Sequence, residues 1–258
     1  MNSFADHFSG AASDYASYRP RYPGPLFQWL AQQVPDRQRV WDCGTGSGQA
    51  AVALAPYFHE VVASDPSVAQ LAHASRGDNV RYVAMTAERA ALADDTVSLV
   101  TVAQALHWFD RPAFFAETRR VLVPGGLLAV WRYGLASIDP RVDAIVGRFY
   151  RETVGPYWPP ERQLVEEGYA RLDFPFEELA SPPFAMEAEW TLPQLAGYLS
   201  TWSAVSRYRA ALKQDPVPTL VRELEVVWPH TDEPRVVHWP LEVRLGRHRG
   251  GRAGGGAS

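Results

Sequence analysis

The residues with the clearest chemical potential lie in one glycine-rich run, Asp42-Cys43-Gly44-Thr45-Gly46-Ser47-Gly48. Glycines at the end of a strand let the backbone turn sharply and approach a ligand without an intervening Cβ. Dinucleotide-binding loops space their glycines as G-x-G-x-x-G and place a pyrophosphate on the helix N-terminus. Here the spacing is G-x-G-x-G and Asp42 precedes it, which suits an ammonium group better than a pyrophosphate. A tight strand–helix turn without a ligand is the alternative.

Two acidic turns follow the glycine run. The first is Ser64-Asp65-Pro66-Ser67, in which Asp65 comes 21 residues after Gly44. A carboxylate at the end of a second strand is positioned to accept hydrogen bonds from both hydroxyls of a ribose. The second turn ends in Ala87 and Glu88, where backbone and acidic side chain could read an adenine edge. Helix capping is the alternative for both turns, and Ser67 can cap without Asp65.

The elements that must position these residues alternate between apolar runs and amphipathic segments. Strands are predicted at 39–43, 60–64, 80–85, 97–102 and 126–132, and helices near 26–34, 48–57, 67–75, 86–92 and 111–122. This alternation is typical of right-handed βαβ crossovers with helices on both faces of a parallel sheet. The glycine run and the acidic turns then meet at the carboxyl ends of neighbouring strands, where open α/β sheets bind ligands.

The pattern changes after residue 132. Helices are predicted near 139–151, 192–213 and 217–228, an extended run around 171–185, and a last strand at 236–247. We expect a leader and lid (1–35), a cofactor-binding core (36–132), a cap insertion (133–234) and a final strand (235–247). The tail (248–258) is expected to be disordered because it has too little apolar surface to fold.

These motifs together resemble the class I S-adenosylmethionine-dependent methyltransferases over roughly residues 12–132. The resemblance rests on DCGTGSG, SDPS, TAE, AQALHWFD and RRVLVPGGLLAVW, which follow in that family's order and spacing. The leader YASYRPRYP and the sequence HWFD are most similar to the small-molecule group that includes trans-aconitate methyltransferases. The resemblance implies an α/β fold with a doubly wound, mostly parallel seven-stranded sheet, an antiparallel last strand and a helical cap.

The resemblance also implies that S-adenosyl-L-methionine is the methyl donor. Asp42 and the glycine loop would hold its methionine end, Asp65 its ribose, and Gln104 would form the wall beside the methionine. Ala87 and Glu88 would contact the adenine, although many relatives have an aspartate where Thr86 stands. The cofactor-binding set implied in this way is Asp42, Gly44, Thr45, Gly46, Gly48, Asp65, Pro66, Ala87, Glu88 and Gln104.

The acceptor side has fewer candidate residues. Methyl transfer from a sulfonium is an in-line displacement, so the protein mainly aligns the acceptor and excludes water. A carboxylate acceptor needs no base, whereas a hydroxyl or amine acceptor can use one, and His107 after the fourth strand suits that role. Packing beside Trp108 is the alternative for His107. In the leader, Tyr15 and Tyr18 could contact the substrate and Arg19 could clamp an acceptor carboxylate bidentately, or the segment could only pack on the sheet.

Composition excludes several other classes of protein. The 25 basic and 29 acidic residues give a net charge of −4, which argues against a nucleic-acid partner held by charge. The single cysteine excludes an internal disulfide and a multi-thiolate zinc site, and the seven histidines lack H-x-x-x-H spacing, so we expect no metal. The start lacks a signal-peptide pattern, and the strongest apolar stretch, 99–109, is interrupted by Gln104 and His107 and is too short to span a membrane. We expect a cytoplasmic protein without a membrane partner, and the sequence leaves its oligomeric state open.

The sequence therefore predicts an enzyme that moves a methyl group from S-adenosylmethionine to an oxygen, carboxylate or hydroxyl, of a small molecule. Two alternatives stay open. One is a nucleotide-cofactor oxidoreductase on a similar sheet, which the glycine spacing and Asp42 disfavour. The other is a non-catalytic protein that only binds S-adenosylmethionine.

Overall fold

The computed structural model describes residues 20–160, 169 and 172–250. These residues form two compact units. The first, here called the sheet unit, contains 22–132, 169, 172–184 and 242–250, and the second, the helical unit, contains 20–21, 133–160 and 185–241. The glycine loop, both acidic turns and the segment after the fourth strand all belong to the sheet unit.

The elements alternate over the first half of the chain as the sequence predicts. They are α1 (Gly24–Gln33), β1 (Arg39–Cys43), α2 (Gln49–Leu54), β2 (Glu60–Asp65), α3 (Val68–Ala72), β3 (Val80–Ala84), β4 (Val97–Ala103), α4 (Arg111–Val121) and β5 (Leu122–Tyr133). The later elements are α5 (Pro140–Arg148), β6 (Glu177–Leu179), β7 (Phe184–Trp190), α6 (Leu192–Ser200), α7 (Ser203–Leu212), α8 (Val217–Val227) and β8 (Arg235–Arg247). Short 3₁₀ turns lie at Ala55–Tyr57, Leu106–Trp108 and Gly155–Tyr157, and a π-helical turn at Phe149–Thr153.

The strands form one sheet in the order β3-β2-β1-β4-β5-β8-β6, and β7 pairs with β8 outside that path. The pairs β1–β2, β1–β4, β2–β3 and β4–β5 are parallel, whereas β6 and β8 are antiparallel. His248, just after β8, exchanges backbone hydrogen bonds of 2.8 Å with Gly125 and Gly126 near the start of β5. Strand β8 therefore runs against β5 as well. The predicted doubly wound, mostly parallel sheet with an antiparallel last strand is confirmed.

The central strands are buried along almost their whole length, as expected for parallel strands covered on both faces. Their side chains are mainly valine, leucine and alanine, and Trp41 and Leu99 are fully buried. Among the buried polar side chains of these strands, Asp42 and Thr101 lie next to each other, because Asp42 in β1 pairs with Thr101 in β4. Asp42 is 1% exposed and Thr101 is 0% exposed, so both depend on hydrogen bonds inside the protein.

The helix predicted near 86–92 is wrong, since this segment forms turns and no helix. Side chains of α4 bind the backbone groups that a helix would have used. Glu117 accepts the N–H of Ala90 at 2.6 Å, and Arg120 donates to the carbonyl of Ala90 at 3.2 Å.

Three other predicted elements differ in their bounds. The helix predicted at 192–213 is divided into α6 and α7 because Trp202 has an extended backbone, with ψ of 135°. The extended run around 171–185 contains the short strand β6, and β7 begins at its end. The disordered tail is predicted to begin at residue 248, but His248 is ordered because it continues the backbone hydrogen bonds of β8. Residues 251–258 of that tail lie outside the described residues.

The helical unit is stabilised by capped helices around an aromatic core. Asp139 caps α5 by accepting the N–H groups of Arg141 and Val142, and Thr191 with Gln194 forms a capping box at the start of α6. Ring contacts join the core residues Phe149, Tyr150, Trp158, Tyr198 and Trp202. Among the described residues no helix is long and apolar enough to cross a membrane.

Candidate cofactor site

The glycine loop between β1 and α2 has a backbone that only glycine adopts easily. Gly44, Gly46 and Gly48 have φ angles of +69°, +53° and +80°. A Cβ on Gly44 would lie 2.6 Å from the Cβ of Ala105, and a Cβ on Gly48 would lie 2.1 Å from the hydroxyl of Tyr82. A Cβ on Gly46 would meet no heavy atom within 4 Å. The loop is therefore packed against the protein at both ends and faces open space at its middle glycine.

The end of β2 fixes this loop through Asp65. The N–H of Gly46 donates to Asp65 Oδ2 at 3.0 Å, and the N–H of Ser67 donates to Oδ1 at 2.9 Å. The N–H of Thr45 also donates to the carbonyl of Ser64, at 2.9 Å. Ser67 caps α3 by accepting the N–H of Gln70, so that capping role does not require Asp65. Asp65 thus lies beside the open middle of the loop.

Asp42 is buried beneath the same loop with a hydroxyl on each of its oxygens. Thr101 Oγ1 donates to Asp42 Oδ1 at 2.7 Å, and Thr45 Oγ1 donates to Oδ2 at 2.5 Å. Burial raises the pKa of Asp42, and the hydrogen bonds from the two hydroxyls and from the backbone of Ala51 lower it, so that the net change is from 3.8 to about 6. The negative charge of Asp65 contributes a further small increase in the pKa.

Tyr82 of β3 packs against the same loop. Tyr82 donates its hydroxyl to the carbonyl of Ser75 at 2.5 Å, and the N–H of Ser75 donates to the carbonyl of Ser47 at 3.0 Å. Burial, together with the charge of Asp42, raises the pKa of Tyr82 to about 12, so it stays a neutral phenol near physiological pH. Tyr82 also occupies the space that a side chain at position 48 would need.

In the second acidic turn, Glu88 forms a hydrogen bond at the start of α4, as its alternative role in helix capping predicts. Glu88 Oε1 accepts the N–H of Asp110 at 3.0 Å, immediately before α4, while Asp110 itself accepts the N–H of Ala113. Glu88 and Pro66 are half-buried, and Ala87 is buried. A contact of Glu88 with adenine would therefore have to coexist with this hydrogen bond.

The end of β4 carries a strained residue and then the candidate base. Gln104 has a φ of +55°, a left-handed conformation that costs a non-glycine residue roughly 1–2 kcal/mol. Backbone strain of this kind clusters at binding sites. The N–H of Gln104 donates to the carbonyl of Trp131 at 3.0 Å. His107 and Trp108 follow in the 3₁₀ turn, both half-buried, with ring centroids 4.7 Å apart.

The structure therefore brings most of the predicted cofactor residues to the carboxyl ends of β1, β2, β3 and β4. Tyr15, Tyr18 and Arg19 lie outside the described residues. Sequence reasoning missed Thr101 and Tyr82, of which Thr101 had a detectable signal as a hydroxyl inside an apolar strand. No group of three or more His, Cys, Asp or Glu side chains in the described part of the chain is placed to hold a metal ion.

These groups fit S-adenosylmethionine on their own chemistry. The open space at Gly46 offers backbone that a ligand can approach closely. The carboxylate of Asp65 beside it can accept hydrogen bonds from ribose hydroxyls, and the buried charge of Asp42 attracts an ammonium group. A pyrophosphate would instead face two carboxylates, which disfavours a dinucleotide.

Known proteins agree with this reading. Residues 41–130 match a family model described as a methyltransferase domain. The chain is 35% identical over 233 residues to a Dictyostelium discoideum protein described as a methyltransferase. The matched region covers 89% of each of the two chains. A Saccharomyces cerevisiae protein described as an S-adenosylmethionine-dependent methyltransferase is 29% identical over 131 residues, 47% of this chain and 45% of that one.

A solved structure gives the same result for the fold. A protein from Anaeromyxobacter dehalogenans, described as a type II methyltransferase, is 44% identical and superposes with a TM-score of 0.84. The match covers 89% of this chain and 98% of that one. The finer resemblance to trans-aconitate methyltransferases stays a prediction, and the oxidoreductase alternative is set aside. The chain belongs to the class I S-adenosylmethionine-dependent methyltransferases, whose methyl donor is S-adenosyl-L-methionine.

Proposed function

We propose that this methyltransferase transfers the methyl group to an oxygen atom, hydroxyl or carboxylate, of a small molecule. The observation that carries the proposal is the position of His107. It lies in the 3₁₀ turn after β4, three residues past the strained Gln104 and at the same sheet edge as the glycine loop. An imidazole at that place can take a proton from a hydroxyl acceptor.

On the donor side, the proposal assigns the methionine end to Asp42 and the glycine loop, and the ribose to Asp65. Each oxygen of Asp65 accepts one backbone N–H, and a carboxylate oxygen has a further lone pair for a ligand hydroxyl. Pro66, Ala87, Glu88 and Gln104 would complete the surroundings. Bound S-adenosylmethionine supplies an electrophilic methyl group on a sulfonium. The protein's part is to align the acceptor and to exclude water.

The acidity of this edge supports a small and uncharged acceptor. Asp42, Asp65, Glu88 and Asp110 all lie at or just after the carboxyl ends of strands or in the following turns. Four carboxylates repel a nucleic-acid backbone, which is bound through basic residues. They also repel an acceptor carboxylate unless a cation offsets them. A hydroxyl acceptor with His107 as base is therefore the first form of the proposal.

The second form is carboxylate methylation. It requires the clamp that the sequence assigns to Arg19, with Tyr15, Tyr18 and Trp108 as further substrate contacts. An arginine binds a carboxylate through two parallel hydrogen bonds, and this would offset the neighbouring acids. In this form His107 lines the pocket and takes no proton.

A screen of acceptors tests the proposal. The full-length protein is incubated with methyl-labelled S-adenosylmethionine and small phenols, alcohols, carboxylic acids and amines, and the label recovered in each product is measured. We expect label in oxygen acceptors, and none with Gly46→Ala, which should lose the cofactor. Label only in amine or carbon products would contradict the proposal. Cofactor binding without transfer to any acceptor would favour the non-catalytic alternative.

A further inference from the structure

Thr101 has a role that a packing residue in an apolar strand would not need. It is 0% exposed in β4, between the buried Val100 and Val102. A hydroxyl in that environment costs free energy unless it is hydrogen-bonded. Its partner is Asp42 Oδ1, at 2.7 Å across the parallel pairing of β1 and β4.

The same carboxylate continues the connection to the glycine loop. Its other oxygen, Oδ2, accepts the hydroxyl of Thr45 at 2.5 Å, and Thr45 is the residue between Gly44 and Gly46. A chain of two hydrogen bonds therefore joins β4 to the loop through Asp42. Both hydroxyls donate, and donation to a carboxylate stabilises its charged form.

We propose that Thr101 is a positioning residue for S-adenosylmethionine, which holds the Asp42 carboxylate charged and oriented toward Thr45 in the glycine loop. Without the Thr101 hydroxyl, a buried carboxylate takes up a proton more readily. The neutral acid attracts an ammonium group less, and its own proton competes with Thr45 for the second hydrogen bond. The inference rests on the proposed assignment of the methionine end to Asp42, concerns only donor binding and does not depend on the acceptor proposed above.

Hydrogen-bonding and charged groups around Asp42 determine the pH at which it loses its charge. The hydroxyls of Thr45 in the loop and Thr101 on β4 and a backbone hydrogen bond from Ala51 in α2 lower its pKa, and Asp65 on β2 raises it slightly. Tyr82 on β3 and the adjacent Cys43 both have a raised pKa, so neither is charged near neutral pH. With burial raising its pKa to about 6, Asp42 is ionised at pH 7 by a narrow margin. Loss of one hydroxyl donor is enough to bring its titration into the neutral range.

Calorimetric titration with S-adenosylhomocysteine between pH 5 and about 8.5 tests this inference without an acceptor. Wild-type affinity should fall as the pH decreases below about 6, and the Asp42→Asn variant should show no such dependence. In Thr101→Val the midpoint should move up by about one pH unit, since a hydrogen bond to a charged group contributes roughly that much. At pH 6 its dissociation constant should be about fivefold weaker than that of the wild type.

Two control variants distinguish positioning from packing. Thr101→Ser restores the hydroxyl and should return the midpoint to its wild-type value. Thr118→Val is the matched control, because Thr118 is fully buried in α4 and its hydroxyl has no hydrogen-bond partner within the described part of the chain. It should keep the wild-type affinity and midpoint.

A wild-type affinity that is constant from pH 5 to 7 would overturn the inference, as would an unchanged midpoint in folded Thr101→Val. If Thr101→Val does not fold, Thr45→Val removes the other donor to Asp42 from a loop position. Its midpoint should then move in the same direction, and an unchanged midpoint there would also overturn the inference. Failure of the acceptor screen would leave these binding results unaffected.

Discussion

Asp65 accepts the backbone N–H of Gly46 at 3.0 Å, so the carboxylate that ends β2 also closes the glycine loop that follows β1. Its second oxygen accepts the N–H of Ser67 at the start of α3. The proposed ribose ligand is therefore held in place before any ligand arrives. This preorganisation reduces the cost of binding, because the carboxylate need not be ordered by the cofactor.

Replacing Asp65 should weaken cofactor binding, because this carboxylate both holds the glycine loop and is the proposed ribose ligand. Asp65→Ala removes hydrogen bonds to a charged group, which contribute roughly 1.5–3 kcal/mol, so the dissociation constant should rise about ten- to hundredfold. Calorimetry with S-adenosylhomocysteine measures it, and circular dichroism checks the fold. Asp78→Ala, at an exposed aspartate, is the matched control and should bind as the wild type does. Equal affinities of the two variants would refute the ribose assignment.

Gly46 should matter for binding more than for stability. The Gly46→Ala variant keeps space for its Cβ in the free protein but pays about 1 kcal/mol for a positive φ, and the new methyl group projects into the space proposed for the cofactor. Gly125→Ala is a matched control, since Gly125 has a φ of +81° and equally open surroundings away from the loop. Both variants should lose similar stability in denaturant unfolding, and only Gly46→Ala should lose cofactor binding. Normal binding by Gly46→Ala would make the loop a structural turn.

The buried Asp42 should reduce the stability of the fold at neutral pH, because its carboxylate is charged there and burial disfavours the charge. Its pKa of about 6 lies above its ordinary value of 3.8, so the folded state binds the proton more tightly than the unfolded state does. The stabilisation is complete below pH 3.8 and is lost as the pH rises through 6. We therefore compare the free energy of unfolding of Asp42→Asn with that of the wild type at two pH values. The difference, variant minus wild type, should be up to roughly 3 kcal/mol larger at pH 8 than near pH 4.

Urea unfolding at the two pH values measures this difference. The same variant should bind S-adenosylhomocysteine more weakly at pH 7, so its stability and affinity should change in opposite directions. A constant stability difference between pH 4 and pH 8 would show that Asp42 does not titrate in this range.

His107 decides between the two forms of the proposed reaction. If it is the base for a hydroxyl acceptor, His107→Asn should lower turnover at least about a hundredfold and flatten the pH dependence near neutrality, with cofactor affinity unchanged. Steady-state kinetics between pH 5.5 and 8.5 with an acceptor from the screen measure both effects. A decrease of only a few-fold with the same pH profile would instead favour a carboxylate acceptor and the Arg19 clamp.

Much of the fold follows from local pattern. Apolar runs separated by amphipathic segments predicted that the first five strands form a parallel sheet, and the glycine spacing with Asp42 and Asp65 predicted where the loop lies. These signals depend on residues close in sequence. The register of β1 against β4, which places Thr101 on Asp42, joins positions 59 residues apart and has no local signature. The position of Tyr82 against Gly48 is equally a product of tertiary packing.

The errors have the same origin. Residues 86–92 have a helical pattern, but Glu117 and Arg120 of α4 bind the backbone of Ala90 and hold the segment as turns. The amphipathic pattern of 192–213 continues through Trp202, whose indole contacts the rings of Tyr150 and Trp158 while its backbone is extended. In both places long-range contacts prevail over helix propensity, which amounts to only tenths of a kcal/mol per residue.

The most direct test of the account is the position of the transferred methyl group. The protein is supplied with isotope-labelled S-adenosylmethionine and an acceptor that carries hydroxyl, carboxylate, amine and aromatic carbon positions, and the product is examined by nuclear magnetic resonance. We expect a methyl group bonded to oxygen, as an ether or an ester, that is absent when Gly46→Ala replaces the wild type. A methyl group bonded to nitrogen or carbon would contradict this expectation.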